Sequence, residues 1–103
     1  MLIIFTATPN EAEAESLAKQ LIEQKLAACV QVLPKMKSFY FWKDELQIDS
    51  EHLVLIKTTD AKFADVESFI KANHTYEIPE IISVQPDKVS DDYLKWLEKY
   101  LNT

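Results

Sequence analysis

The sequence contains no glycine. That absence removes the glycine-rich loops that cradle nucleotide phosphates, both Gly-x-x-x-x-Gly-Lys-Ser/Thr and Gly-x-Gly-x-x-Gly. It also removes the Gly-x-Ser-x-Gly elbow that presents a nucleophilic serine. Arginine is missing too: the eleven basic residues are all lysines, against seventeen acids, for a net charge of −6. An acidic chain without a guanidinium is poorly made for phosphate-backbone or base-edge readout, so no nucleic-acid partner is expected. The single cysteine, Cys29, cannot close an intrachain disulfide, which suits a reducing compartment. No apolar run approaches the ~20 residues that cross a bilayer, and Met1-Leu-Ile-Ile-Phe lacks the basic start and the length of a signal peptide. A soluble, cytoplasmic protein without a membrane partner is expected.

The 103 residues are 48% apolar, enough for one real core and too few for two domains, so residues 1–103 read as a single domain. The stretch from Leu26 to Thr58 organises it. Leu26 to Leu33 is mostly apolar, Pro34 interrupts, and Phe39-Tyr-Phe-Trp42 follows. A polar break at Lys43-Asp-Glu45 leads to a second run, Leu53 to Ile56. Two such runs around a short polar turn predict a long β-hairpin. Neither run alternates cleanly, so both faces are expected to be buried. Pro34 cannot donate to a ladder and predicts a bulge, splitting the first arm into Ala28–Leu33 and Lys37–Trp42.

Around the hairpin, Leu2–Phe5 reads as a buried strand. Thr8 or Asn10 caps a helix running to about Lys25, with Ala14, Leu17, Leu21 and Ile22 on one face. Asp60 caps a second helix through Phe63, Val66, Phe69 and Ile70. Ile81–Val84 is a short strand, and Ser90 caps a last helix striped by Tyr93, Leu94, Leu97 and Leu101. The order is β-α-β-β-α-β plus a terminal helix. It predicts an α+β, ferredoxin-like βαββαβ sandwich with an extended hairpin and an extra C-terminal helix. Two helices cover one sheet face only. A hairpin arm of about twelve residues reaches ~40 Å, longer than so small a domain. The arm should therefore project and pair with other copies in an obligate oligomer.

Lys25-Leu-Ala-Ala-Cys-Val, Ser38-Phe-Tyr-Phe-Trp, Leu55-Ile-Lys-Thr, His74-Thr-Tyr-Glu-Ile-Pro-Glu and Asp92-Tyr-Leu-Lys-Trp-Leu, in this order and spacing, resemble the CutA family, the divalent-cation tolerance proteins. The resemblance covers essentially the whole chain. It implies a ferredoxin-like fold, a tight homotrimer similar in architecture to the PII signalling proteins, a cytoplasmic location for bacterial members, and a link to copper and other metals. It implies no reaction, so the chain is not read as an enzyme. The family's shared residues correspond to Cys29, Tyr40, Trp42, Lys57, His74, Tyr76, Pro79 and Glu80, gathered around clefts between subunits. This sequence also departs from the family. Phe5 stands where some members carry a cysteine, Asn73-His74 where they carry a histidine pair, and Thr75 where a proline follows. Lys35 and Asp44 replace glycines. A three-ligand copper site is not carried over.

Each residue has two readings. Cys29 is a soft-metal ligand or a small buried strand residue among Ala27, Ala28 and Val30. His74 is a metal ligand or a tie between a helix end and its loop, and His52 is a partly exposed strand residue. A tight transition-metal site needs three or four N/S ligands, more than two histidines and one cysteine readily supply, so copper or another divalent cation is expected to bind weakly. Lys57 emerges from an apolar strand and needs a carboxylate, with Glu80 the candidate across the sheet or across an interface, or an anionic ligand. Tyr40, Trp42 and Tyr76 form the wall of a small-ligand cleft or an interface core. Glu45, Asp49 and Glu51 read as a solvated rim near the turn. The expected function is trimeric binding of divalent metal, copper first, for metal tolerance. The alternative is a PII-like regulatory module binding a small anion in the clefts between subunits.

Overall fold

A computed structural model describes residues 1–103. The elements are β1 (Leu2–Thr8), α1 (Glu11–Glu23), β2 (Cys29–Val32), β3 (Met36–Trp42) and β4 (Glu45–Thr58). A 3₁₀ turn at Asp60–Lys62 leads into α2 (Phe63–Asn73), followed by β5 (Ile82–Val84) and α3 (Asp91–Leu101). The sheet is antiparallel with order β2-β4-β1-β5, and β3 pairs with the distal half of β4. This is the expected ferredoxin-like arrangement with its long hairpin and additional helix.

Local chemistry sets the boundaries. β1 outlasts its apolar run because pairing with β4 continues to Thr8 opposite His52. Asn10, not Thr8, caps α1. Its Oδ1 accepts the Glu13 N–H at 2.9 Å while its Nδ2 donates to the Glu13 carboxylate at 2.9 Å, which holds the capping side chain in place. α1 stops at Glu23, two residues early, because Lys25 turns left-handed at φ 56°. The N–H of Lys25 reaches the Ile22 carbonyl at 3.0 Å and that of Leu26 reaches Leu21 at 2.9 Å, a glycine-type helix end without glycine. Asp60 caps nothing and instead accepts from the Gln85 amide. Ser90 caps α3 as expected.

The core lies between one sheet face and two helices. Leu2 and Ile4 of β1 and Val54 and Ile56 of β4 meet Leu17 and Leu21 of α1 and Val66 and Ile70 of α2. A second, smaller cluster joins Leu97 and Leu101 of α3 to Ala28. The Tyr100 hydroxyl anchors α3 by donating to the Ile22 carbonyl at 2.6 Å. On the other sheet face, Ile3, Phe5, Leu53 and Leu55 are only half-buried.

The bulge falls at Pro34. β2 pairs Val32 with Val54, whereas β3 pairs Met36 with Glu51, so Pro34 and Lys35 together oppose His52. His52 Nδ1 donates to the Leu33 carbonyl at 3.0 Å and ties the bulge down. Beyond it the hairpin closes through Lys43 and Asp44, at φ 50° and 62°, the left-handed pair of a two-residue turn. The arm projects: the molecule is 45 Å long, and its radius of gyration of 14.3 Å exceeds the roughly 13 Å of a compact domain this size.

The expectation that both hairpin faces are buried does not hold within the chain. Pairing sets Phe39 opposite Ile48 and Phe41 opposite Leu46 on one face. That face is bare, with Phe41 71% and Leu46 67% exposed. Tyr40, Trp42, Gln47, Asp49 and Glu51 take the other face. The run Phe39–Trp42 reads as continuous apolar sequence only because tyrosine and tryptophan carry polar tips on apolar bodies.

Candidate ligand cleft

A cleft of about 360 Å³ opens where the hairpin leaves the sheet. Its floor and walls include Ala7 at the end of β1, Tyr40 and Trp42 of β3, Glu51 of β4, and Tyr76 and Glu80 of the loop after α2. Strand alternation brings these together. Odd-numbered residues of β4 face away from the helices, so Glu51 shares a face with Tyr40 and Trp42 once the register is set.

His74 positions the loop. Its Nδ1 accepts the Tyr76 N–H at 3.0 Å, so Nε2 carries the proton and donates to the Ala7 carbonyl at 2.6 Å. Its ring lies 4.7 Å from the Tyr76 ring. Both nitrogens are thus engaged with protein groups. The imidazole ties the end of α2 to the end of β1, the second of the two roles open to it, and could ligate a metal only by giving up a bond.

Tyr76 then folds over Glu51 and donates to Glu51 Oε2 at 2.8 Å. Burial first, then the hydrogen bond and charge of Glu51, push the Tyr76 phenol well above its ordinary range. The Tyr40 hydroxyl donates to Asp49, and that bond is the main cause of a raised Tyr40 phenol. Glu51 therefore corrects the sequence reading. It is only 8% exposed and forms the polar floor of the cleft, not part of a solvated rim. The alternation of Leu46, Ile48 and Ser50 against Gln47, Asp49 and Glu51 was the available signal.

The remaining sequence candidates lie elsewhere. Cys29 pairs across the sheet with Lys57, half-buried within the chain and outside any disulfide. Lys57 Nζ sits 5.6 Å over the Tyr93 ring and meets no carboxylate. The chain's one ion pair is Lys71–Glu67, so Lys57 and Glu80 do not pair within a chain. Lys57 and Glu51 are six positions apart on one strand, ~20 Å. Within a chain the candidates form two groups, Tyr40, Trp42, His74, Tyr76 and Glu80 at the cleft and Cys29 with Lys57 near α3. No three His, Cys, Asp or Glu side chains come together to hold a metal ion.

Comparison with known proteins agrees with this architecture. The family model described as CutA1 divalent ion tolerance protein matches residues 2–100. The chain is 37% identical over 97 residues to the divalent-cation tolerance protein CutA of Thermus thermophilus, covering 94% of each. It is 36% identical over 97 residues to the chloroplastic protein CutA of Arabidopsis thaliana, of which it spans 53%. Thus the chain spans about half the length of that plant relative. The solved structure of the periplasmic divalent cation tolerance protein CutA from Archaeoglobus fulgidus superposes with a TM-score of 0.94 at 34% identity, over 98% of this chain and 99% of that one. The matched residues, the sheet order and the superposition agree, and the chain belongs to the CutA1 divalent ion tolerance protein family.

Proposed function

We propose that this chain works in metal tolerance as a cytoplasmic homotrimer that binds divalent ions, copper first, without catalytic turnover. The family membership carries the reading. The bare face of Phe39, Phe41, Leu46 and Ile48 supports the assembly, since an apolar patch of this kind at the tip of a β-arm is normally closed by another chain. The exposed carboxylates Glu77 and Glu80 at the cleft mouth are the proposed cation donors. Two carboxylates from one chain bind a divalent ion weakly, so donors from neighbouring subunits or water complete the shell. Copper(II) calorimetry on the native assembly tests this. Saturable binding is expected, kept in His74→Ala and weakened several-fold in Glu77→Gln/Glu80→Gln. No saturable heat with the native protein rejects the reading.

One observation supports a second reading. Lys57 is half-buried and has no carboxylate partner. An unneutralised ammonium in that setting suits a small anion bound between subunits, as in a PII-like regulatory module. Anion binding that is unchanged in Lys57→Ala removes it.

A further inference from the structure

The loop between α2 and β5 begins at a histidine with both ring nitrogens engaged, and we infer that His74 is a proton-operated latch: protonation of its imidazole frees Tyr76 from Glu51 and opens the turn between residues 74 and 76. The inference concerns the loop itself and holds whatever occupies the cleft.

The geometry of the ring carries it. Nδ1 accepts the backbone N–H of Tyr76 at 3.0 Å, and Nε2 meets the Ala7 carbonyl at 2.6 Å. A backbone N–H only donates and a carbonyl only accepts. The two bonds therefore fit one species, the neutral ring with its proton on Nε2. A second proton lands on Nδ1 and turns that nitrogen into a donor. It then aims an N–H at the N–H of Tyr76, and both are left without an acceptor. The Nε2 bond survives the same change, because a charged donor holds a carbonyl more strongly. Protonation thus breaks one side of the latch. The ring stays on β1, and Tyr76 is the group that leaves.

Tyr76 passes the change on. Its N–H rests on His74, its ring lies 4.7 Å from the imidazole, and its hydroxyl donates to Glu51 Oε2 at 2.8 Å. Loss of the first contact unseats the turn, and the ring and hydroxyl move with the backbone. Glu51 is only 8% exposed under this cover and becomes accessible when Tyr76 swings away. The surrounding groups are known by element. β4 presents Glu51 through Tyr76, and His52, whose Nδ1 is taken by the Leu33 carbonyl. The hairpin arm presents Tyr40 bonded to Asp49, and Glu77 and Glu80 follow in the loop itself. β1 offers the uncharged Ala7 carbonyl, and α2 ends on Asn73, whose amide turns back to the Phe69 carbonyl. A neighbouring subunit that adds charge here meets the same two bonds, since both form within one chain. Histidine is the side chain that ordinarily changes charge between about pH 5 and 8, which sets the range in which the latch works.

NMR of the native assembly between about pH 8 and about pH 5.5 tests the inference, with the His74 ring, the Tyr76 amide and the Glu51 carboxylate followed together. One shared midpoint is expected. Across it the protection of the Tyr76 amide against hydrogen exchange should fall about tenfold or more, the size of a lost hydrogen bond. His74→Gln cannot titrate and should hold the Tyr76 signal flat over the same range. His52→Gln removes the other histidine and should leave the transition in place. The inference is overturned by a Tyr76 amide that does not follow the His74 ring, or by a ring that stays neutral throughout. A transition that survives in His74→Gln, or vanishes in folded His52→Gln, overturns it as well. If His74→Gln does not fold, the shared midpoint in the wild type and the His52→Gln protein still decide.

Discussion

The two ends of β4 are one strand in two environments. At the C-terminal end, Val54 and Ile56 lie under α1 and α2 at 0% exposure. At the N-terminal end, Leu46 and Ile48 alternate with the same period, yet they are bare. The sequence pattern is comparable in both halves. What differs is the cover: two helices fold back over one half, and nothing in the chain reaches the other. An apolar strand face therefore shows where burial is needed, and only the position of the neighbouring elements shows whether the chain itself supplies it.

Substitutions at the two ends should part sharply. Ile56→Ala opens a cavity in a sealed core and should cost about 2–5 kcal/mol in denaturant unfolding. Phe41→Asp, on the bare face, should leave secondary structure intact by circular dichroism and reduce the particle mass by light scattering to that of one chain. An unchanged mass would remove the proposed assembly role of that face. At the bulge between the halves, His52→Ala releases the Leu33 carbonyl and should cost roughly 1 kcal/mol.

The cleft adds a pH signature to the hairpin half. In the fold the Tyr76 phenol is raised above its ordinary value of 10.0, so the unfolded chain loses this proton first. The stability it contributes is present in full below pH 10 and is lost as pH rises through the folded value. Wild-type stability should therefore fall above pH 10, and Tyr76→Phe should flatten that slope. The smallest expected effect is at the hairpin tip. Asp44 holds φ 62°, which glycine adopts freely, so Asp44→Gly should stabilise by about 1 kcal/mol or less. A loss of stability there would mean that the Asp44 side chain contributes more than its backbone costs.

Much of the fold was legible because it rests on short-range signals. Thr8 or Asn10 and Ser90 are readable as caps, Pro34 as a bulge and the Lys43–Glu45 break as a turn, each from local backbone chemistry; the structure selects Asn10 and closes the turn at residues 43–44. The misreadings came from long-range partners. Asp60 was expected to cap α2, but Gln85 engages its carboxylate. Glu51 reads as rim because nothing near it in sequence shows that Tyr76, 25 residues on, folds over it. Within a chain Lys57 does not reach Glu80, and Tyr93 lies beneath its ammonium group. Of the cleft, the aromatic residues and the loop that bears Tyr76 and Glu80 were singled out by sequence, and its buried carboxylate was not.

The sequence by itself determined the element order, the missing glycine loops, the acidic character and the need to bury a long apolar arm. These follow from composition, periodicity and capping, which act over a few residues. Tertiary structure alone decided which face of the arm is bare, which carboxylate is enclosed, and that Lys57 stands far from the cleft of its own chain. Those outcomes depend on the one-residue shift at Pro34 and on the path of the loop from His74 to Glu80. A register shift of one residue exchanges the faces of a strand. Residues distant in sequence must then be brought together by the fold before their chemistry can be read.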